Sequence, residues 1–146
     1  MKSRDFLPSR RGHPPDETPS FFADRSLMKV CPRVLRDRGW QVTSWWDIYP
    51  DEEDNDIEDE VWIPEVVGRG MFILGQDDAM RRSEVIRDTI INNQAHVFAL
   101  TRADLTGPGR ADRFDAVRED IYRRTTLPGH AYFTLGADLR LRRKTL

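Results

Sequence analysis

The sequence predicts an α/β fold, a mainly parallel sheet with helices on both faces that ends in an antiparallel hairpin. Three observations lead there. From about residue 20 onward, short apolar runs alternate with amphipathic segments, the βα order that folds into a layered sheet. The run at 71–74, MFIL, is apolar throughout, as suits a strand buried on both faces. The last two apolar runs flank Gly136-Ala137-Asp138, a turn signal between neighbouring strands. At 146 residues the chain is the size of one ordinary domain.

Taken in order, residues 1–20 carry Pro8, Pro14, Pro15 and Pro19 with no apolar period, which predicts an extended arm; the domain then occupies 21–146. A strand is expected at about 21–24, a helix at 26–38 stopped by Gly39, and a strand at 40–46. An acidic loop follows, then a helix at 59–68 stopped by Gly70, the strand at 71–74, a helix at 78–93 and a strand at 95–100. Thr106-Gly107-Pro108-Gly109 reads as a turn before a polar helix at 110–126. The hairpin pairs 132–135 with 139–141, and no internal repeat is visible.

Composition narrows the function. A hydrophobic fraction of 38% with 33% charged residues describes a globular chain with an ionised surface, and no segment approaches a membrane span. The N-terminus lacks the apolar stretch of a secretory signal, so a cytoplasmic protein is expected. Net charge is −2, which does not mark a generally basic nucleic-acid binder, although 20 Arg stand against 3 Lys and Arg is the better bidentate phosphate ligand. The lone Cys31 allows no internal disulfide. His13, His96 and His130 are scattered, so neither a zinc pair nor a Ser-His triad is suggested, and His96 is expected to be a sheet histidine. No Gly-rich phosphate cradle is present. Trp40 and Trp62 fall at core positions, whereas Trp45 and Trp46, read as neighbours on a strand, would face opposite sides.

The chemistry-bearing candidates are acids. In an open α/β sheet, functional side chains gather beyond the carboxyl ends of the strands. The first strand ends in Asp24, and the third runs through Gly75-Gln76 into Asp77 and Asp78. Asp59 and Glu60 open the helix before the third strand. Carboxylates that converge repel one another unless a cation neutralises them, and oxygen-only ligands favour Mg²⁺ or Mn²⁺. The expectation is that Asp24, Asp77 and at least one of Asp59 and Glu60 share one ion. Each has a plainer reading: Asp24 and Asp77-Asp78 as helix caps, Asp59 and Glu60 as two of the eight acids in a solvated stretch at 51–60. A calcium loop there is disfavoured, since the EF-hand pattern needs Gly where Asp56 stands. Arg25, Arg81 and Arg82 lie beside these acids and could neutralise the phosphates of a polyanion, or simply form a solvated face.

The strings FFADRSL, DEVWIPEVVGRG and MFILGQDDAMRR, in that order, resemble the PIN-like domains of VapC-type toxins over roughly residues 20–105. The resemblance implies a Mg²⁺- or Mn²⁺-dependent endoribonuclease of a type II toxin–antitoxin pair. Asp24, Asp59 and Asp77 match the acidic metal positions, and Glu60 is the neighbour able to replace Asp59 in catalysis. RNA would be the substrate and a VapB-type antitoxin the partner, with no membrane and with oligomerisation left open. Two departures stand out: the family usually carries Thr where this chain has Gly75, and its fourth acid has only Asp104 as a candidate. The alternative is the same fold with a degraded site, kept to bind a protein or RNA.

Overall fold

A computed structural model describes residues 18–51, 56–77, 80–101 and 104–146. Within them six strands form one sheet: β1 (Ser20–Ala23), β2 (Gln41–Ser44), β3 (Met71–Gln76), β4 (His96–Leu100), β5 (Ala131–Leu135) and β6 (Leu141–Arg143). The helices are α1 (Val30–Asp37), α2 (Trp45–Ile48), α3 (Asp59–Gly68), α4 (Glu84–Asn92), α5 (Gly107–Ala116) and α6 (Arg118–Arg124), with 3-10 turns at Arg25–Leu27 and Met80–Arg82. The strand order is β2-β1-β3-β4-β5-β6, parallel except for β6, which runs antiparallel to β5. The expected α/β architecture with its terminal hairpin is therefore the one observed.

Alternation along each strand divides the core into two layers. Phe21 and Ala23 of β1, Leu74 of β3, Phe98 of β4 and Phe133 of β5 face α1, α5 and α6 through Cys31, Leu35, Phe114 and Ile121. Phe22, Ile73, Val97 and Tyr132 point the other way, onto α3 and α4 through Trp62, Ile63, Val66 and Ile90. The β4-to-β5 connection passes over the α1 face, although β3-to-β4 steps in the same direction over the α3 face. Its hand is thus opposite to that of the other parallel crossovers, most of which are right-handed in proteins. It brings the start of α5 against α1.

Several boundaries differ from the sequence reading, each for a local reason. The helix expected at 26–38 is broken: Pro32 has no N–H to bond four residues back, so α1 starts at Val30 and Met28 takes a positive φ of 61°. Trp45 and Trp46 are not strand residues. Ser44 and Asp47 cap a short helix there, the Ser44 N–H donating to the Asp47 carboxylate at 2.8 Å. Thr106 to Gly109 is not a turn but a helix start, with Thr106 capping the Gly109 N–H at 3.1 Å and Pro108 in the first turn. The polar helix at 110–126 is two helices meeting at Val117, whose φ of −120° interrupts the ladder. The segment at 78–93 contributes a 3-10 turn and then α4, which begins after the cap Ser83. The hairpin register pairs Leu135 with Leu141, so Leu139 and Arg140 belong to the loop. The glycines that stop α1 and α3, Gly39 and Gly70, both have positive φ. The predicted arm lies almost wholly outside the described residues, and among the described ones no helix is long and apolar enough to cross a membrane.

Gly107 sits where α5 meets α1. A Cβ there would lie 2.6 Å from the Cβ of Val30, closer than two carbons can approach. Gly107→Ala should therefore push the two helices apart and lower stability by about 1–3 kcal/mol, the usual cost of overpacking. Urea unfolding followed by circular dichroism measures it; a variant as stable as the parent would show that the contact is loose.

Candidate active site

The strand order reverses at β1: its chain neighbour β2 lies on one side and β3 on the other, which makes the carboxyl ends of β1 and β3 the place where the loops diverge and a crevice opens. Asp24 follows β1 and Asp77 follows β3. By alternation both belong to the face that carries Phe22 and Ile73, the α3 face, with Gly75 between them.

Asp24 is only 6% exposed. Its Oδ1 accepts the Ser26 N–H at 2.8 Å and the Ser26 hydroxyl, and its own N–H donates to the Leu74 carbonyl at 3.0 Å. The Ser26 Oγ in turn accepts the Gln76 N–H at 3.2 Å, so one hydroxyl ties the acid to β3. The cap reading and the site reading of Asp24 are compatible: Oδ1 caps the 3-10 turn, while Oδ2 leans over Gly75, where a Cβ would stand 2.8 Å from it. The family's usual side chain at this position would occupy that space. Burial pushes the Asp24 carboxyl up to about 6; the Ser26 bonds oppose the rise, the Asp59 charge adds to it, and Arg25 works against it.

Asp59 is the first residue of α3, where the helix N-terminus favours a negative charge. It accepts the Trp62 indole N–H at 2.6 Å. Of the neighbouring pair, Asp59 is half-buried and electrostatically coupled to Asp24, and Glu60 is exposed.

Asp77 has a different environment. Arg81 clamps it with both nitrogens of its fork, Nε at 3.0 Å and Nη2 at 2.8 Å, and the Tyr132 hydroxyl donates to Oδ1 at 2.6 Å. The ring of Tyr132 also lies under the Arg81 guanidinium, 5.6 Å from centroid to Cζ. Burial alone would raise the Asp77 carboxyl, but the bonds from Arg81 and Tyr132, and the Arg81 charge, hold it below its ordinary value. Both oxygens being engaged, no three acidic, histidine or cysteine side chains among the described residues stand together as an ion-holding group. The structure couples Asp24 to Asp59 and turns Asp77 towards a cation of the protein's own.

The remaining candidates separate clearly. Arg25 bonds the Ile57 carbonyl at 3.1 Å and packs over the Trp45 ring, at the rim of the acidic pair. Arg82 is exposed. Asp104 is exposed in the loop before α5, and Asp78 lies outside the described residues. His96 is a buried sheet residue bonded to the Leu127 carbonyl at 2.8 Å, as expected from its position. Cys31 is buried, and its thiol is pushed up to about 12, which removes it as a nucleophile at neutral pH. Three partners of the acids were not singled out from sequence: Ser26, Trp62 in its bonding role, and Tyr132. The first two could have been found, because i+2 and i+3 are capping and helix-face spacings.

The chain matches the family of PIN like domains over residues 19–102. It is 31% identical over 115 residues to a curated Mycobacterium tuberculosis protein named "Putative ribonuclease VapC45", an alignment covering 78% of this chain and 83% of that protein. This chain belongs to the PIN-like domain family, of the VapC type. No solved structure matches it significantly. The matched segment contains Asp24, Asp59 and Asp77, so the acids just described lie inside the family domain.

The two strand-end acids of this PIN-like domain should respond oppositely to neutralisation. Metal-free Asp24 keeps its proton when folded up to about pH 6 and loses it when unfolded near 3.8, so between these values rising pH favours the unfolded chain. That effect is worth about 3 kcal/mol in all. In chelator, Asp24→Asn should gain stability relative to wild type as pH rises from 4 to 7, by denaturant midpoints. Asp77→Asn leaves Arg81 without its charged partner and should cost about 1–3 kcal/mol at pH 7. Parallel pH profiles for wild type and Asp24→Asn would contradict the burial argument.

Proposed function

We propose that this chain is a divalent-metal-dependent endoribonuclease, the toxin of a type II toxin–antitoxin pair, which hydrolyses RNA phosphodiester bonds in the cytoplasm. The observation that carries the reading is the Asp24 carboxylate, buried at the switch point of the sheet and within electrostatic reach of Asp59. Two acids in that relation are stabilised by a cation between them, and a donor set made only of carboxylate oxygens suits Mg²⁺ or Mn²⁺. The donor chemistry of the residues fits the ion: Asp24 and Asp59 would hold it, Asp77 would be the third ligand, and the exposed Glu60 is the neighbour able to replace Asp59. The name of the mycobacterial relative supports the assignment to RNA.

The ion would supply charge neutralisation and Lewis-acid polarisation of the scissile phosphate. The protein's own part follows from its side chains. Ser26 and Trp62 fix two carboxylates by hydrogen bonds, which limits the reorganisation needed when substrate arrives. Attack by water joins oxygen to phosphorus and expels the leaving oxygen, and negative charge grows on the phosphate as it does so. Arg25 and Arg82, beside the acids, would neutralise that charge and the flanking phosphates. A VapB-type antitoxin would silence the site by inserting an Arg among Asp24, Asp59 and Asp77, since a guanidinium satisfies several carboxylate oxygens at once.

One observation favours the second reading, a degraded module retained for binding: Asp77 is already neutralised within the chain. Cleavage decides between them. With Mg²⁺ or Mn²⁺ the purified chain should cut RNA, and Asp24→Asn should lower kcat/KM by about a hundredfold or more. Expressed alone it should be toxic to its host, with the neighbouring antitoxin relieving the toxicity and Asp24→Asn abolishing it. A harmless wild-type chain that binds no Mn²⁺ and cuts no RNA would leave the binding module as the better account.

A further inference from the structure

Asp77 is the acid whose surroundings the nuclease reading does not yet explain. A carboxylate awaiting a divalent ion should have free oxygens, yet Arg81 covers both of them, through Nε at 3.0 Å and Nη2 at 2.8 Å, from one helical turn away. The clamp is built rather than incidental. Tyr132, buried in β5, donates to the same Oδ1 at 2.6 Å and presents its ring to the guanidinium. Tyr132 is itself fixed by the edge of the sheet, where its carbonyl accepts the Lys144 N–H at 2.8 Å. The two partners differ in one decisive respect. The Tyr132 hydroxyl approaches a single oxygen, and a carboxylate oxygen can accept a hydrogen bond while also binding a cation. Arg81 occupies both oxygens with its own positive charge, which competes directly with an ion for the same atoms. The Arg81 side chain is also 35% exposed, so it has solvent to move into, whereas the buried Tyr132 has not.

We propose that Arg81 is an internal counter-ion of Asp77 which a divalent cation displaces, and that Tyr132 is a positioning residue which keeps the Asp77 carboxylate aimed before and after the exchange. The inference rests on the metal-dependent reading of the site. Once released, the Arg81 guanidinium lies at the edge of the acidic centre and takes up a substrate phosphate, so the residue that guards the empty site assists the loaded one. In the absence of metal the clamp cancels the charge of Asp77 within the chain.

The test is Mn²⁺ binding by isothermal titration calorimetry at neutral pH, on the full chain, with RNA cleavage measured in parallel. Arg81→Gln should bind Mn²⁺ about five- to tenfold more tightly than wild type, although its cleavage of RNA at saturating Mn²⁺ falls. Arg81→Lys, which retains charge without the fork, should lie between them in affinity and recover part of the activity. Tyr132→Phe should bind Mn²⁺ about tenfold more weakly while Arg81 is unchanged, the usual range for losing a hydrogen bond to a metal ligand. Unchanged or weaker Mn²⁺ affinity in both Arg81 variants would overturn the proposal, even if the wild type cuts RNA. Tighter binding without cleavage by any form would sink the nuclease reading instead and leave the exchange standing. If no form binds Mn²⁺, both fall. Circular dichroism separates a misfolded Arg81→Gln from a folded one, and Arg81→Lys carries the test if the first does not fold.

Discussion

A carboxylate stripped of water must be given a proton, hydrogen bonds or a cation, and the site of this protein is organised around that requirement at Asp24. β1 lies inside the sheet, with β2 on one side and β3 on the other, so the residue that follows it is enclosed on both flanks. Gly75 approaches it from β3, and Phe22, on the same face of β1, packs against Trp45 and Trp62. Only a residue without a side chain can stand at 75 while the Asp24 oxygen leans across it. Gly75 is thus coupled to the placement of the first acid. A hydroxyl reaches that acid from Ser26, whose Oγ binds Asp24 and also the backbone of β3.

The second constraint is that the three acids satisfy their charge by different means. Asp24 is buried with only neutral donors from Ser26, and burial first, with the Asp59 charge adding to it, pushes its carboxyl up to about 6 against those bonds. Asp59 has an indole N–H and the positive end of α3. Asp77 has a full positive charge in a bidentate pair, so its carboxyl is held low. A metal-free protein with three identical, unpaired carboxylates in this enclosure would pay heavily in desolvation and repulsion. Distributing the compensation leaves one carboxylate protonatable, one hydrogen-bonded, and one covered by a guanidinium. On the proposed reading, that gradation is what would let the fold stand without an ion and still offer carboxylates to one.

The sequence made the layered fold and the strand-end positions of the acids legible for physical reasons that also explain the errors. An acidic start and a glycine stop define α3 closely, because a carboxylate at the positive end of a helix and a positive-φ residue are both local properties. The rule for the ends of parallel strands singled out Asp24 and Asp77 before any contact was known. Pro32 lay in plain view, yet the segment 26–38 reads as one helix unless the lost bond to residue 28 is counted. Ser44 to Asp47 was a capping box hidden inside an apolar run, and the tryptophans that followed it suggested a strand. Gly107-Pro108-Gly109 reads as a turn by composition, and becomes a helix start only because Thr106 caps it and α1 packs against it. Tyr132 is a different case. It meets Asp77 from 55 residues away, through the pairing of β5 with β4, and no pattern in a single sequence carries that information.

The preference for arginine in this chain gains a specific meaning at Asp77. A lysine at 81 would place one hydrated charge near one oxygen and leave the other open. The guanidinium covers both oxygens, with its Cζ 5.6 Å from the Tyr132 ring centroid, so it holds the carboxylate in a single orientation. The same geometry suits a phosphate, which also presents paired oxygens. In the proposed exchange a planar fork would pass from the acid to a substrate phosphate without changing its chemistry, while the acid would pass from the fork to a metal. An antitoxin arginine aimed at the same centre would exploit an affinity that the toxin already uses within its own chain, and its advantage over Arg81 would come from reaching Asp24 and Asp59, the two acids that no arginine fork clamps among the described residues.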